Sequence, residues 1–218
     1  IKFDMNHQKG VLYKIERITK LRREVKKHKD AIIVSFEYFM NMQTIVAMAG
    51  LKNKLIISER NDPARVGGKT PTKQLRNFLY RFADCLVCQT QEALEYFPQN
   101  IQKKAVVILN PVKENLPERW QGERRKEIVN FCRLEKQKNL PLLIEAFCEF
   151  HKKHADYTLA IYGDGKERES LEEYIRNRKL DDCVTLHHAV SDIHDHIKDA
   201  MMFVSSSNYE GLSNSMIE

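Results

Sequence analysis

Glu127-Ile128-Val129-Asn130-Phe131-Cys132-Arg133-Leu134-Glu135-Lys136-Gln137-Lys138-Asn139-Leu140-Pro141-Leu142-Leu143-Ile144 is the stretch on which the fold turns. A near-continuous apolar run to Cys132 reads as a strand, a basic loop follows, and a helix begins with Asn139 as its cap and Pro141 in its first turn. A strand without polar alternation that feeds a helix suits a parallel sheet covered on both faces. The unit recurs downstream, with strands at Tyr157 to Tyr162, Cys183 to Leu186 and Met201 to Ser205 and helices beginning near Lys166 and Ser191. Upstream, Ala31 to Phe36, Lys54 to Ser58, Asp84 to Cys88 and Ala105 to Leu109 read as strands separated by amphipathic stretches. The expected class is α/β, with two parallel-sheet domains.

Between the two sets lies a stretch after Asn110-Pro111, rich in Pro, Glu, Arg and Gln, with almost nothing to bury. It places residues 1–112 in a first domain, 113–126 in a linker and 127–218 in a second domain. Both ends look cut: the chain opens at Ile1 without a methionine and stops at Glu218, barely into a helix that starts near Ser213. Each domain is expected to lack some of its elements.

At 218 residues and 42% hydrophobic content the chain can bury one large core or two modest ones, which excludes a disordered chain. No apolar run approaches the roughly 20 residues of a membrane span. A cytoplasmic protein is expected. The five cysteines lie mostly inside apolar segments, as reduced core thiols do, and Cys85 and Cys88 fall three apart on a strand, on opposite faces. The net charge of +6 is concentrated between Lys14 and Lys29. That basic segment reads as a solvated helix face, or as a docking surface for anionic lipid at the inner face of the membrane. Without interleaved aromatics, no nucleic-acid partner is expected.

Three segments carry chemistry. Arg133 and Lys138 flank a helix start, where backbone amides and the positive end of the helix dipole favour a diphosphate. Tyr162-Gly163-Asp164-Gly165 follows the next strand, where glycine allows a close backbone approach; Arg168 stands where a dinucleotide fingerprint needs its third glycine. Ser205 to Glu218 forms a strand end, a polar loop and a helix start, with Glu210 on the loop, Gly211 beside it, Ser213 or Asn214 as cap, and Glu218 one turn further in. A carboxylate suits paired hydroxyls because it accepts two hydrogen bonds at once.

In order, Arg133-x4-Lys138, Leu142-Leu143-Ile144-Glu145-Ala146-Phe147, Ile161-Tyr162-Gly163-Asp164-Gly165 and Glu210-Gly211-x6-Glu218 resemble the donor half of glycosyltransferase family four. Ser58-Glu59-Arg60-Asn61-Asp62-Pro63, Ala83-Asp84 with Thr90, and Asn110-Pro111-Val112 are similar, more loosely, to its acceptor domain. The resemblance implies a GT-B fold of two Rossmann-like domains and a retaining transferase that needs no metal or cofactor. Its donor is a nucleoside diphosphate sugar, with UDP as the prior, in the cleft between domains. A hexose or N-acetylhexosamine would pass to a saccharide or lipid-linked acceptor in envelope glycan synthesis.

By that resemblance Glu210 meets the transferred sugar as the catalytic residue, Arg133 and Lys138 neutralise the leaving diphosphate, and Glu218 holds the ribose. Gly163, Gly211, Leu212, Ser213 and Asn214 complete the donor grip. His188 and Val190 lie beside the base, where many relatives have glycine for His188. Glu59, Arg60 and Asn61 stand on the acceptor side, where many have a histidine. The departing phosphate would assist deprotonation of the acceptor on the same face.

Rival readings fare worse on the residues. Val66-Gly67-Gly68-Lys69-Thr70 ends like a phosphate-binding P-loop, but Pro63 replaces its first glycine and Pro71 fits an ordinary helix start. His187, His188, Asp192, His194, Asp195 and His196 crowd together; on a helix from Ser191, however, Ile193 and Ile197 share the buried face while His194 and His196 diverge, so no metal is expected. A same-fold sugar-nucleotide epimerase would need acid and base groups facing the donor sugar. A non-enzymatic membrane-docking protein would leave Glu210 and Glu218 idle.

Overall fold

The computed structural model describes residues 10–218, which divide between Asn110 and Pro111 into two units. The first runs α1 (Gly10–Lys27), β1 (Ile33–Phe36), α2 (Tyr38–Met48), β2 (Leu55–Ser58), α3 (Thr70–Tyr80), β3 (Cys85–Cys88), α4 (Gln91–Glu95), α5 (Gln99–Gln102) and β4 (Ala105–Val107). Its strands pair in parallel, in the order β1-β2-β3-β4. Ile57, Leu86 and Cys88 are buried at the sheet, and Ile45, Tyr80 and Ile101 pack on it from the helices. Removing each large apolar side chain from water contributes about 1.5–3 kcal/mol. Thr90 fixes the start of α4 by accepting the Ala93 amide at 3.2 Å, and Asp84 ties β3 to β2 by accepting the Leu55 amide at 2.8 Å.

The second unit holds β5 (Arg125–Phe131), a single 3-10 turn (Lys136–Lys138), α6 (Leu140–His151), β6 (Thr158–Tyr162), α7 (Arg168–Asn177), β7 (Val184–His187), α8 (Ile193–Ile197), β8 (Ala200–Phe203) and α9 (Asn214–Ile217). Its sheet is also parallel, in the order β7-β6-β5-β8. In α6 the buried residues are Leu140, Leu143, Ile144 and Phe147, the helical repeat that presents one apolar stripe to a sheet. Residues 113–126 fall in this unit; Arg124 donates to the Ala200 carbonyl at 2.8 Å and Arg125 pairs with Asp199 at 2.9 Å, tying the start of β5 to β8.

Both units are thus Rossmann-like parallel-sheet α/β layers, as expected from the uninterrupted apolar strands. All five cysteines are free thiols. Burial pushes Cys88 up to about 12 and Cys132 up to about 11, so neither is a thiolate near neutral pH. Among the described residues no helix is long and apolar enough to cross a membrane.

Candidate functional site

Counting strands within the second unit, the order is third, second, first, fourth, so the chain leaves β5 toward one side and returns at β8 on the other. In open parallel sheets that reversal opens a crevice at the carboxyl ends of the two strands. The loops that follow β5 and β8 therefore meet there, and they are stitched together. Asn130 donates from β5 to the Val204 carbonyl at 2.6 Å, and Ser206 donates to the Lys138 carbonyl at 2.8 Å. The Asn208 amide reaches the Gln137 carbonyl at 2.9 Å while the Gln137 side chain returns to the Tyr209 carbonyl at 2.8 Å.

Asn139 takes part in this seam in an unforeseen way. Its backbone lies in the left-handed region (φ 48°), which asparagine tolerates, and its side chain makes no bond to the helix it precedes. It donates instead to Asn208 Oδ1 at 3.1 Å. The expected cap is thus a cross-loop bridge, because that φ turns the amide away from the helix.

The seam delivers Lys138 to Glu210: Nζ lies 2.5 Å from Oε1, with both side chains mostly buried. Two residues seventy-two positions apart form one charged pair at the switch point. Arg133 stands at the other end of the loop after β5, largely exposed and 3.4 Å from Glu135. Gly211 follows Glu210, and Leu212, Ser213 and Asn214 lead into α9 half-covered or exposed. Ser213 occupies the N-cap position, but its hydroxyl lies 3.0 Å from that of Ser215 instead of bonding an amide of the helix, and Asn214 donates to the Pro111 carbonyl at 3.3 Å.

Gly163 and Gly165 have a specific task here. A Cβ on Gly163 would overlap the Cys132 carbonyl oxygen, and one on Gly165 would overlap that of Leu134. What the Gly163 backbone approaches is the loop that carries Arg133. The Leu134 amide closes the contact on the Asp164 carbonyl at 2.9 Å, and the Glu167 amide reaches the Leu134 carbonyl at 3.1 Å.

Arg168, which broke the dinucleotide fingerprint, clamps this corner: one guanidinium nitrogen donates to the carbonyls of Gly163 at 2.6 Å and His187 at 2.7 Å and lies 3.2 Å from Asp164. Asp164 in turn accepts the Ala189 amide at 3.0 Å and lies 2.7 Å from the His188 ring; these partners hold its carboxyl below the usual range. His188 is exposed and Val190 half-buried, so both lie on the loop after β7.

Glu218 sits apart from Lys138 and Glu210 in its bonding. One carboxylate oxygen accepts the Lys113 amide at 3.3 Å; the other lies 3.0 Å from Nε2 of buried His194. The crowded histidines thus find separate partners: His188 has Asp164, His194 has Glu218, and His196 lies 3.8 Å from Asp192. Ile193 is buried and Ile197 half-buried, as the helical spacing demanded; His194 is buried as well. Spacing could not show that, since its neighbours Phe131 and Glu218 are remote in sequence.

In the first unit, the segment after β2 divides. Glu59 is 2% exposed and accepts a hydrogen bond from the buried Tyr80 hydroxyl, whose oxygen in turn accepts from Asn41 at 3.2 Å. Burial raises the Glu59 carboxyl to about 7, against the lowering effect of Tyr80 and Arg76, and pushes the Tyr80 phenol well up. Arg76 is fully buried with its guanidinium over the Tyr96 and Phe97 rings, at 5.1 and 5.3 Å. Arg60 is exposed, 6.0 Å over Phe36, and Asn61 accepts the Asp62 amide at 3.1 Å. Glu59 therefore faces the core of its unit while Arg60 faces outward. The buried Asn41, Arg76 and Tyr80 could not be read as its partners because they come from other elements.

Residues 112–218 match the family described as glycosyl transferases group 1. An undecaprenol-linked α-1,4-N-acetyl-D-galactosaminyltransferase of Campylobacter jejuni is 27% identical over 179 residues, which cover 81% of this chain and 49% of that protein. The chain spans about half the length of that relative. Among solved structures, S. aureus TarM superposes with a TM-score of 0.74 at 20% identity, covering 93% of this chain and 42% of TarM. A pneumococcal O-GlcNAc transferase, GtfA, solved with UDP and GlcNAc, gives 0.68 at 19% identity, covering 88% and 41%. The fold is that of GT-B glycosyltransferases, in two Rossmann-like units.

Proposed function

We propose that the chain is part of a retaining, metal-independent glycosyltransferase of family four that takes a hexose or N-acetylhexosamine from a nucleoside diphosphate sugar. The observation that carries this reading is the Lys138–Glu210 pair at the switch point of the second sheet, 2.5 Å apart and held by the seam between two loops. A cation and a carboxylate side by side suit a sugar diphosphate, with the cation meeting the developing charge on the leaving phosphate and the carboxylate accepting hydrogen bonds from sugar hydroxyls.

In this reading Arg133 swings from Glu135 to the diphosphate, and Gly211, Leu212, Ser213 and Asn214 approach it with backbone. Gly163 holds the Arg133 loop in place, Glu218 takes the ribose hydroxyls, and His188 and Val190 border the base. The departing phosphate accepts the acceptor proton, so no second carboxylate near Glu210 is required. UDP as carrier is supported by the UDP bound to the pneumococcal GtfA, and a lipid-linked acceptor by the undecaprenol-linked acceptor of the C. jejuni relative. On the acceptor side Arg60 faces outward, Asn61 is half-buried beside it, and Glu59 acts from behind them.

Calorimetric titration with UDP, GDP, ADP and UDP-sugars tests the reading. One nucleoside diphosphate should bind, roughly tenfold more weakly in Arg133→Ala and in Glu218→Gln, each of which loses a charge-assisted contact. Glu210→Gln should keep that binding within a few-fold while transfer falls by about 100-fold or more. A protein indifferent to all of these ligands abandons the proposal.

We also propose that the protein is cytoplasmic and docks peripherally on anionic membrane through α1. There Val11, Leu12 and Ile15 are more than half exposed beside Lys14, whose ammonium lies 5.4 Å over Phe39, while Arg22 is engaged at the Ala47 and Ala49 carbonyls, both at 2.7 Å. Co-sedimentation with phosphatidylglycerol vesicles should fall steeply between about 0.05 and 0.5 M salt. Equal recovery with neutral vesicles would remove the idea.

A further inference from the structure

His194 is a buried polar side chain of the second unit that none of the proposed roles uses. It lies on α8, 7% exposed, with the Phe131 ring meeting it edge-on at 5.4 Å between centroids, and Nε2 lies 3.0 Å from Glu218 Oε2. Phe131 is the last residue of β5, so the imidazole is wedged between the end of an inner strand and the carboxylate. A carboxylate only accepts hydrogen bonds, so Nε2 must carry the proton. The other oxygen of Glu218 takes the Lys113 amide at 3.3 Å. With one donor from a side chain and one from backbone, the carboxylate plane is set before any hydroxyl reaches it.

Each carboxylate oxygen still has a lone pair after these bonds, which is what a pair of neighbouring hydroxyls would need. A carboxylate free to rotate would have to be ordered by the ligand at the moment of binding; one held by His194 is ordered in advance, and its affinity for a diol rises accordingly.

We propose that His194 is a positioning residue for recognition of the nucleoside ribose, acting through Glu218 and touching no ligand itself. The inference rests on the assignment of Glu218 to the ribose. It predicts that the contribution of His194 to binding exists only when the ligand carries ribose hydroxyls.

The test compares UDP with its 2′,3′-dideoxy analogue by calorimetry, in the wild type, His194→Leu, His194→Gln, Glu218→Gln and the double variant His194→Leu/Glu218→Gln. Thermal unfolding confirms that each variant is folded. His194→Leu should weaken UDP about tenfold and the dideoxy analogue less than twofold. His194→Gln, whose amide nitrogen can take the place of Nε2, should recover most of the loss. In the double variant the second substitution should add nothing, because both act through one contact. Equal weakening of both nucleotides in His194→Leu, or additive losses in the double variant, overturns the inference and leaves the donor site standing. A wild type that binds UDP and its dideoxy analogue equally overturns the ribose role of Glu218 and His194 together. A wild type that binds no nucleoside diphosphate removes the donor reading itself.

Discussion

The two sheets of this chain are built from the same kind of strand, yet they treat the carboxyl ends of those strands in opposite ways. In the first unit the described strands run in chain order, and the carboxylate that follows β2, Glu59, turns into the core against Tyr80. In the second the order reverses between β5 and β8, and the carboxylate that follows β8, Glu210, meets a lysine at the crevice. A sheet whose connections all run one way can close polar groups into its helical layer. One that reverses separates two loops and leaves polar groups between them. The first arrangement yields a carboxyl with a shifted proton affinity, the second a charged pair.

The largest expected effect breaks the second arrangement. Gly163→Ala places a methyl group on the Cys132 carbonyl, so the seam behind the Arg133 loop must open; the cost should be about 3 kcal/mol, read as a lower denaturant midpoint. A midpoint equal to wild type would show that the two loops are not in close approach.

A smaller effect sharpens the first. Glu59 titrates near 7 in the fold, above the 4.5 of an unstrained glutamate, so the folded chain keeps a proton that the unfolded chain has released. Its contribution is fully present below about pH 4.5 and is lost as pH rises through 7, at no more than about 1.4 kcal/mol per unit. Glu59→Gln stays neutral and can still accept from Tyr80, so it should remove this slope and gain roughly 1–3 kcal/mol on wild type between pH 5 and 8. Denaturant curves at both pH values decide it: an unchanged difference between the two proteins discards the buried-proton account.

How much of this could be read beforehand follows the range of the interactions. The strands were legible because apolar runs such as Leu55-Ile56-Ile57 or Leu159-Ala160-Ile161 must be mostly buried wherever they go, and the α6 stripe because its spacing is local. Lys138 and Glu210 were each legible as candidates from their loops, while their direct pairing, seventy-two residues apart, was not. Arg168 could be seen only as a missing glycine; its hold on the Gly163 and His187 carbonyls needs β6 and β7 side by side. The partners of His194 and Glu59 were illegible for one reason: helix or loop position says which way a side chain leaves the backbone, and tertiary packing decides whether anything waits there.

The Lys138–Glu210 pair also bears on the speed of encounter. Around the loop after β5 the three cations Arg133, Lys136 and Lys138 are set against two carboxylates, Glu135 and Glu210, so the local charge nearly cancels. Such a corner projects little field beyond a Debye length of about 8 Å, and a dissolved anion would arrive by unaided diffusion. Discrimination then falls to the residence time of what has already collided, as Lys138 exchanges a carboxylate partner for a phosphate one.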